Sequence, residues 1–382
     1  MKFKTFSAFI VIATLVLGFA LGHSLRVRQS FQDLSVEHGV DFNGLINNIS
    51  NEISAIRGLG FKERPAVVVI NSSVVASTWG YEVPEEVFIL GEVFRMTLLV
   101  DMSYNISRSY SGLIGMWMAA SAGNSIYLVS DNIKFNDPVV FRVLAHELMH
   151  VLQYQHFIIP QTKSLDESLA IRSLIEGDAD IVADRYVEMK GFNNVFKVSD
   201  VTFQDPFIDL QLMPYVFGGR FINRLLSEGG WESVNKAYSD PPRSMLHIMF
   251  PDKYLTNYEI RSISNNVSCN VVYEDVLGPS YLYLMIGKYF NKSHAFKLSE
   301  LWVGDKVTYC RGVNNATLYW RIKFSSAYGA VEFYELYVMA AHVNGASFVD
   351  GGFLIDGLTV RVTQSLDEVM IESFEVKRDL PP

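Results

Sequence analysis

Residues 146 to 150 read His-Glu-Leu-Met-His inside the apolar run Val143-Leu-Ala-His146-Glu147-Leu-Met-His150-Val-Leu152, and that setting restricts the segment to a buried helix. Asn136-Asp137-Pro138 supplies its start: Asp137 as N-cap and Pro138 at the first helical position, where the missing N–H costs nothing. Val139, Phe141, Val143, Leu144, Leu148, Val151 and Leu152 clothe most of the surface, as in a core helix. Residues four apart on a helix share a face, with Cβ atoms about 5–6 Å apart. The imidazoles of His146 and His150 can therefore reach one Zn²⁺ through bonds of about 2.0–2.1 Å. Glu147 sits beside them without being a ligand, placed to take a proton from a water that the metal acidifies.

A hydrolytic zinc needs a third protein ligand and one open position, and two residues compete for the role. His156 follows His146 by ten residues, but Gln153 stands where a glycine would have to turn the chain back toward the metal. Continuing helix over ten residues carries His156 about 15 Å along the axis. Glu176 lies in Leu174-Ile-Glu176-Gly-Asp178-Ala-Asp180, within a second expected helix that Asp166 caps and that ends near Lys190-Gly191. Its neighbour Gly177 costs about 1 kcal/mol in a helix interior, which implies close approach of another element. Asp180, one turn after Glu176, is placed to accept the second ring N–H of a ligating histidine and fix its tautomer. A solvated acidic face is the plain alternative for Glu176, Asp178 and Asp180.

The pairing of HELMH with IEGDAD resembles the gluzincin class of zinc metallopeptidases, in which two His and a Glu bind the metal and an Asp one turn later supports it. More closely, HELMHVLQYQHF, LIEGDADIVADRY, PYVFGGRFI, GGWESVNKAYSDPPRS and FPDKY, continuing through LWVGDKVTYC and AVEFYELY, are similar to a little-characterised family of prokaryotic exported gluzincin-like proteins. The likeness covers roughly residues 60 to 345. It departs at Ser244-Met-Leu-His247, where that family carries a polar Thr-Glu-Gln. The resemblance implies a zincin-like fold, Zn²⁺ on His146, His150 and Glu176, Glu147 as general base and Asp180 in support. For the donor that stabilises the developing oxyanion, Tyr215 is the first choice, with Tyr186 and His247 as alternatives.

Upstream, Gly112–Met118 and Ser125–Val129 read as two strands around the turn Ala122-Gly123-Asn124. In zincins the strand before the active-site helix is a sheet edge on which an extended peptide docks by main-chain hydrogen bonds. Pro65 to Ile70 reads as another short strand, and residues 41 to 58 as a helix closed near Gly58 or Gly60.

The amino terminus directs the chemistry outward. Basic Met1-Lys-Phe-Lys4 precedes an apolar stretch from Phe6 to Gly22, so residues 1–24 read as a signal peptide or a membrane anchor, with the remainder secreted or tethered outside the cell. Glycosylation sequons stand at Asn48, Asn71, Asn105, Asn266, Asn291 and Asn315. Cys269 and Cys310, the two cysteines, are expected to pair in an oxidising compartment and suggest no second metal site.

Net charge of −9 and a pI near 5.4 argue against nucleic acid or anionic lipid as partner, leaving membrane contact to the N-terminal segment alone. The 382 residues suffice for one large or two smaller cores. The expected class is α+β: a mainly helical zincin-like region over 30–260 with a small sheet, then an α+β part over 264–382. Its strands include Leu318–Phe324, Leu358–Thr363 and Val369–Val376. The leading expectation is an extracellular zinc peptidase acting on peptide or protein substrates. The rival is a surface binding or structural module that keeps the zincin fold without turnover.

Overall fold

The computed structural model describes residues 41–75, 77, 83–115, 118–134, 137–349 and 351–376; the N-terminal segment read as signal or anchor lies outside them. Asp41 accepts a hydrogen bond from Gly44 N (3.0 Å) and starts α1 (Phe42–Arg57), whose buried Phe42, Ile46, Ile49 and Ile53 recur at helical spacing. Gly58, at φ +76°, closes it as expected. Next come β1 (Ala66–Ile70), α2 (Ser72–Val75), α3 (Glu85–Met96) and α4 (Ile106–Gly115). The last corrects the strand expected from Gly112. Asn105 accepts from Arg108 N (3.2 Å) and nucleates a helix, and Ile106 packs against Gly91 of α3. The apolar run continues a helical stripe with Tyr110 and Leu113 rather than starting a strand.

A three-stranded sheet follows, with β2 (Ala119–Ala122) and β3 (Ser125–Val129) ordered β1-β3-β2. β1 runs parallel to β3 and β2 antiparallel to it. The strand immediately before the His-bearing helix is thus internal, paired on both sides. The edges are β1 and four-residue β2, and β2 packs against that helix.

Three long helices form the centre: α5 (Pro138–His156), α6 (Leu165–Met189) and α7 (Pro206–Ser239). Asp137 caps α5 by accepting from Val139 N (2.9 Å), with Pro138 at its start. α6 begins at Ser164, not Asp166: the Ser164 hydroxyl accepts from Glu167 N (3.1 Å), while Asp166 is buried and accepts from Met245 N (2.9 Å). Gly191 at φ +75° ends that helix. α6 has 19 of its 25 residues buried, which makes it the axis of the molecule. α7 runs alongside it and breaks at Gly229-Gly230, beyond which the chain turns back. Short α8 (Met245–Met249) and α9 (Pro251–Leu255) complete this half.

The remainder comprises β4 (Val271–Asp275), α10 (Gly278–Tyr289), α11 (Lys292–Glu300), β5 (Trp302–Arg311), β6 (Asn315–Phe324) and α12 (Ala327–Val343). β7 (Ser347–Val349), β8 (Gly352–Ile355), β9 (Leu358–Ser365) and β10 (Glu368–Val376) then close a seven-stranded antiparallel sheet, ordered β4-β5-β6-β10-β9-β8-β7. Its centre is apolar: Val307 faces Trp320, which faces Ile371, all fully buried. Helices and strands are segregated, so the architecture is α+β. One apolar cluster runs through both halves, from Leu90 and Phe94 through Leu174 and Phe221 to Trp320 and Ile371.

Candidate metal centre

Four-residue periodicity on two facing helices builds the centre. Along α5 the polar residues Arg142, His146 and His150 stand one turn apart, followed by Gln153; along α6 they are Arg172, Glu176, Asp180 and Asp184. The helices run antiparallel, so each stripe meets the other in reverse order. Arg142 contacts Asp180 and Asp184 (2.8 Å each), His146 contacts Glu176 and Asp180, and His150 contacts Glu176. The acidic cluster is no solvated face: Glu176 and Asp178 are almost fully buried, and Asp180 nearly so.

Three donor atoms converge. His146 Nε2 lies 3.1 Å from Glu176 Oε2, His150 Nε2 lies 3.3 Å from the same oxygen, and the two Nε2 atoms are 3.0 Å apart. A tetrahedral ion with arms of about 2.0–2.2 Å sets its ligands about 3.3–3.6 Å apart, so small outward shifts would fit one here. These buried residues could hold a metal ion. The histidine rings are oriented for it. His150 Nδ1–H donates to Gln153 Oε1 (2.8 Å), whose amide nitrogen donates to Ile175 O (2.8 Å) and so fixes which end of the glutamine accepts. His146 Nδ1 sits 3.0 Å from Asp180 Oδ1, off-line for a full hydrogen bond, and Arg142 holds that carboxylate in place. Both rings are thereby left to ligate through Nε2.

Charge is arranged for a cation. Burial opposes protonation of His146, yet the Asp180 and Glu176 carboxylates prevail and push it up to about 10. His150 is likewise raised against burial, chiefly by Glu176. Burial would raise Glu176, but the two histidines hold it well below the usual carboxylate range. The same carboxylates, Glu176 and Asp180, would face a divalent ion at this place.

Half-buried Glu147 adjoins His146 on α5, its charge acting on both His150 and Tyr215. Tyr215, on α7, stacks its ring 6.1 Å from that of His146. Burial, then the Glu176 charge, raises its pKa well above 10, so it is a neutral O–H donor. The other two proposed donors lie elsewhere. Tyr186 packs among the isoleucines of α1 with Lys190 over its ring. His247 is tied to backbone, accepting from Arg243 N (3.3 Å) and contacting Tyr258 O (2.9 Å). His156, at the end of α5, contacts Gly60 O (2.7 Å) and takes no part.

Gly177 has the close neighbour its position implied: a Cβ there would fall 2.3 Å from the carbonyl carbon of Gly218 on α7. That contact brings α7, and Tyr215 with it, against the ligand helix. Asp178 faces the other way, in a bidentate pair with fully buried Arg57 (2.8 and 3.1 Å) and accepting from Tyr238 OH (2.9 Å), which fastens α1 and the returning end of α7 to α6. Arg142, Gln153 and Arg172 were not foreseen as part of the centre; the signal was their spacing from the histidines and Glu176, which acquires meaning once the helices are known to face each other.

No family model and no curated protein matches the chain. One solved structure is similar: a protein from Chloroflexus aurantiacus described as a candidate hydrolase of novel fold, 15% identical, with a TM-score of 0.37, covering 56% of this chain and 88% of that one. A likeness at that level fixes neither fold nor chemistry.

Proposed function

We propose that the chain is a zinc-dependent peptidase of gluzincin type that acts outside the cell. The observation that carries this reading is the convergence of His146 Nε2, His150 Nε2 and Glu176 Oε2 to within 3.0–3.3 Å of one another, with Glu147 beside them. Two imidazoles and a carboxylate in a closed, buried, tetrahedron-sized set suit zinc, with one position left for water or substrate. When bound, the ion would polarise the scissile carbonyl and acidify water. Glu147 takes the proton from the attacking water and passes it to the leaving amine. Tyr215, neutral and half-buried, donates to the oxyanion as it forms. Antiparallel edge strand β2, packed on α5, is where an extended peptide would add as a fourth strand, and helix pair plus edge together suit a zincin-like fold. The Cys269–Cys310 disulfide favours an oxidising compartment.

The test separates metal from catalysis. The purified chain should hold one zinc, and His150→Ala or Glu176→Ala should lose it. Glu147→Gln keeps all three ligands, so its zinc content should match wild type while cleavage of a peptide library falls by about 10²–10⁴-fold. Wild type and Glu147→Gln both metal-loaded and both inert would replace this reading with that of a binding module.

A further inference from the structure

Arg172 stands one turn before Glu176 on α6, on the same face, and is 6% exposed. Among the described residues no carboxylate pairs with it. Within those residues its one hydrogen bond runs from Nη1 to Gln211 Oε1 (2.6 Å), and its Nε is buried without a partner among them. The other long buried cations near α6 are treated differently: Arg57 is paired with Asp178, and Arg142 with Asp180 and Asp184. Gln211 is four residues before Tyr215 on α7, so Arg172, Gln211, Glu176 and Tyr215 form the corners of one patch across two helices. The Arg172 charge acts on the Tyr215 hydroxyl, opposing the shift that Glu176 imposes.

A guanidinium removed from water without a counter-charge is costly unless something anionic completes it. Here the neutral glutamine occupies one N–H and leaves the Nε edge, which carboxylates grip in two-pronged fashion. We propose that Arg172 is the anion-binding element of a substrate subsite beside the metal, and that it takes a substrate carboxylate. The assignment rests on the peptidase reading. Four residues of helix rise about 6 Å, and an extended peptide advances about 3.4 Å per residue. The bound carboxylate therefore lies one or two residues from the scissile bond: the free C-terminus of a short peptide, or an acidic side chain at that distance.

Binding, not turnover, reads this directly. The full chain carrying Glu147→Gln, zinc-loaded, is titrated calorimetrically with three N-acetylated tripeptides: trialanine as the free acid, trialanine as the C-terminal amide, and an amide with glutamate at the third position. The free acid should bind about 100-fold more tightly than the neutral amide. Preference for the glutamate amide instead would place the carboxylate on a side chain and keep the subsite. Arg172→Met should erase the preference. Gln211→Glu, which gives Arg172 an internal partner of nearly the same shape, should erase it too, and guards against a misfolded Arg172 variant. Equal binding of all three peptides, binding of none, or a preference that survives both substitutions overturns the proposal. A carboxylate preference in a protein whose wild type cleaves nothing would overturn the peptidase reading and leave the subsite standing.

Discussion

The two histidines owe their usefulness to residues that are not ligands. Gln153 and Asp180 each hold the Nδ1 side of one ring and leave Nε2 for the ion. Losing such support typically weakens metal affinity by about 10–100-fold. Gln153→Leu and Asp180→Ala should each do so in a competition titration against a chromophoric chelator, whereas Glu176→Ala abolishes binding; unchanged affinity in Gln153→Leu would remove it from the centre. The residues named from sequence for the metal, His146, His150 and Glu176, do meet, because a four-residue spacing and an acid beside an ill-suited glycine are local signals. Gln153 and Arg172 carry no such signal. A polar residue on an apolar helix is interpretable once its opposite number on the next helix is known, and that pairing is tertiary information.

At the scale of elements, the placing of Tyr215 and Gln211 depends on how closely α7 approaches α6. Gly177 and Gly218 allow backbone to touch backbone, since a Cβ on Gly177 would fall 2.3–2.8 Å from three backbone atoms of Gly218, none of which can rotate away. Alanine is favoured over glycine in a helix by about 1 kcal/mol. The overlap should win: Gly177→Ala should lose about 1–3 kcal/mol or more, read as a lowered denaturant midpoint. Gly219→Ala is the control, for its Cβ would meet one Ile181 methyl at 4.0 Å, so propensity alone acts and stability should hold or rise. Equal effects of the two would refute the close-contact explanation. Most elements were legible from caps and periodicity: α1, α5, β1, β3 and the later strands fall where expected. The strand expected over Gly112–Met118 gives way to helix at residues 112–115, because the start signal of that helix, Asn105, also reads as a sequon, and a short apolar run with glycines suits strand and helix alike.

For the whole molecule, the question is what joins the helical half to the sheet. Cys269–Cys310 staples the segment just ahead of edge strand β4 to β5, with Asn270 and Arg311 exchanging hydrogen bonds beside it. Closing a loop of 41 residues contributes about 4 kcal/mol in the chain-entropy model. Both thiols should therefore resist alkylation in the native protein until reductant is added. A deeper junction is made by three buried aspartates at the start of α6. Asp275 accepts from Leu165 N (2.9 Å) and Val276 N (2.7 Å), Asp166 from Met245 N (2.9 Å), and Asp305 from Leu277 N, Gly278 N and the indoles of Trp302 and Trp320. Burial, reinforced by mutual repulsion, pushes Asp166 up to about 8 and Asp275 up to about 7. Both ionise near 3.8 once unfolded. Between about pH 4 and pH 7–8 the unfolded chain is therefore the more ionised, and each group removes about 1.4 kcal/mol of stability per pH unit. The contribution is intact below pH 4 and lost as pH rises through the folded values. With zinc saturating, the melting temperature should fall from pH 5 to pH 8, and Asp166→Asn should flatten the slope. A melting temperature that climbs over that range in the wild type, or an Asp166→Asn protein with the same slope, would mean the junction carries its carboxylates charged, held by the N–H groups that converge on them.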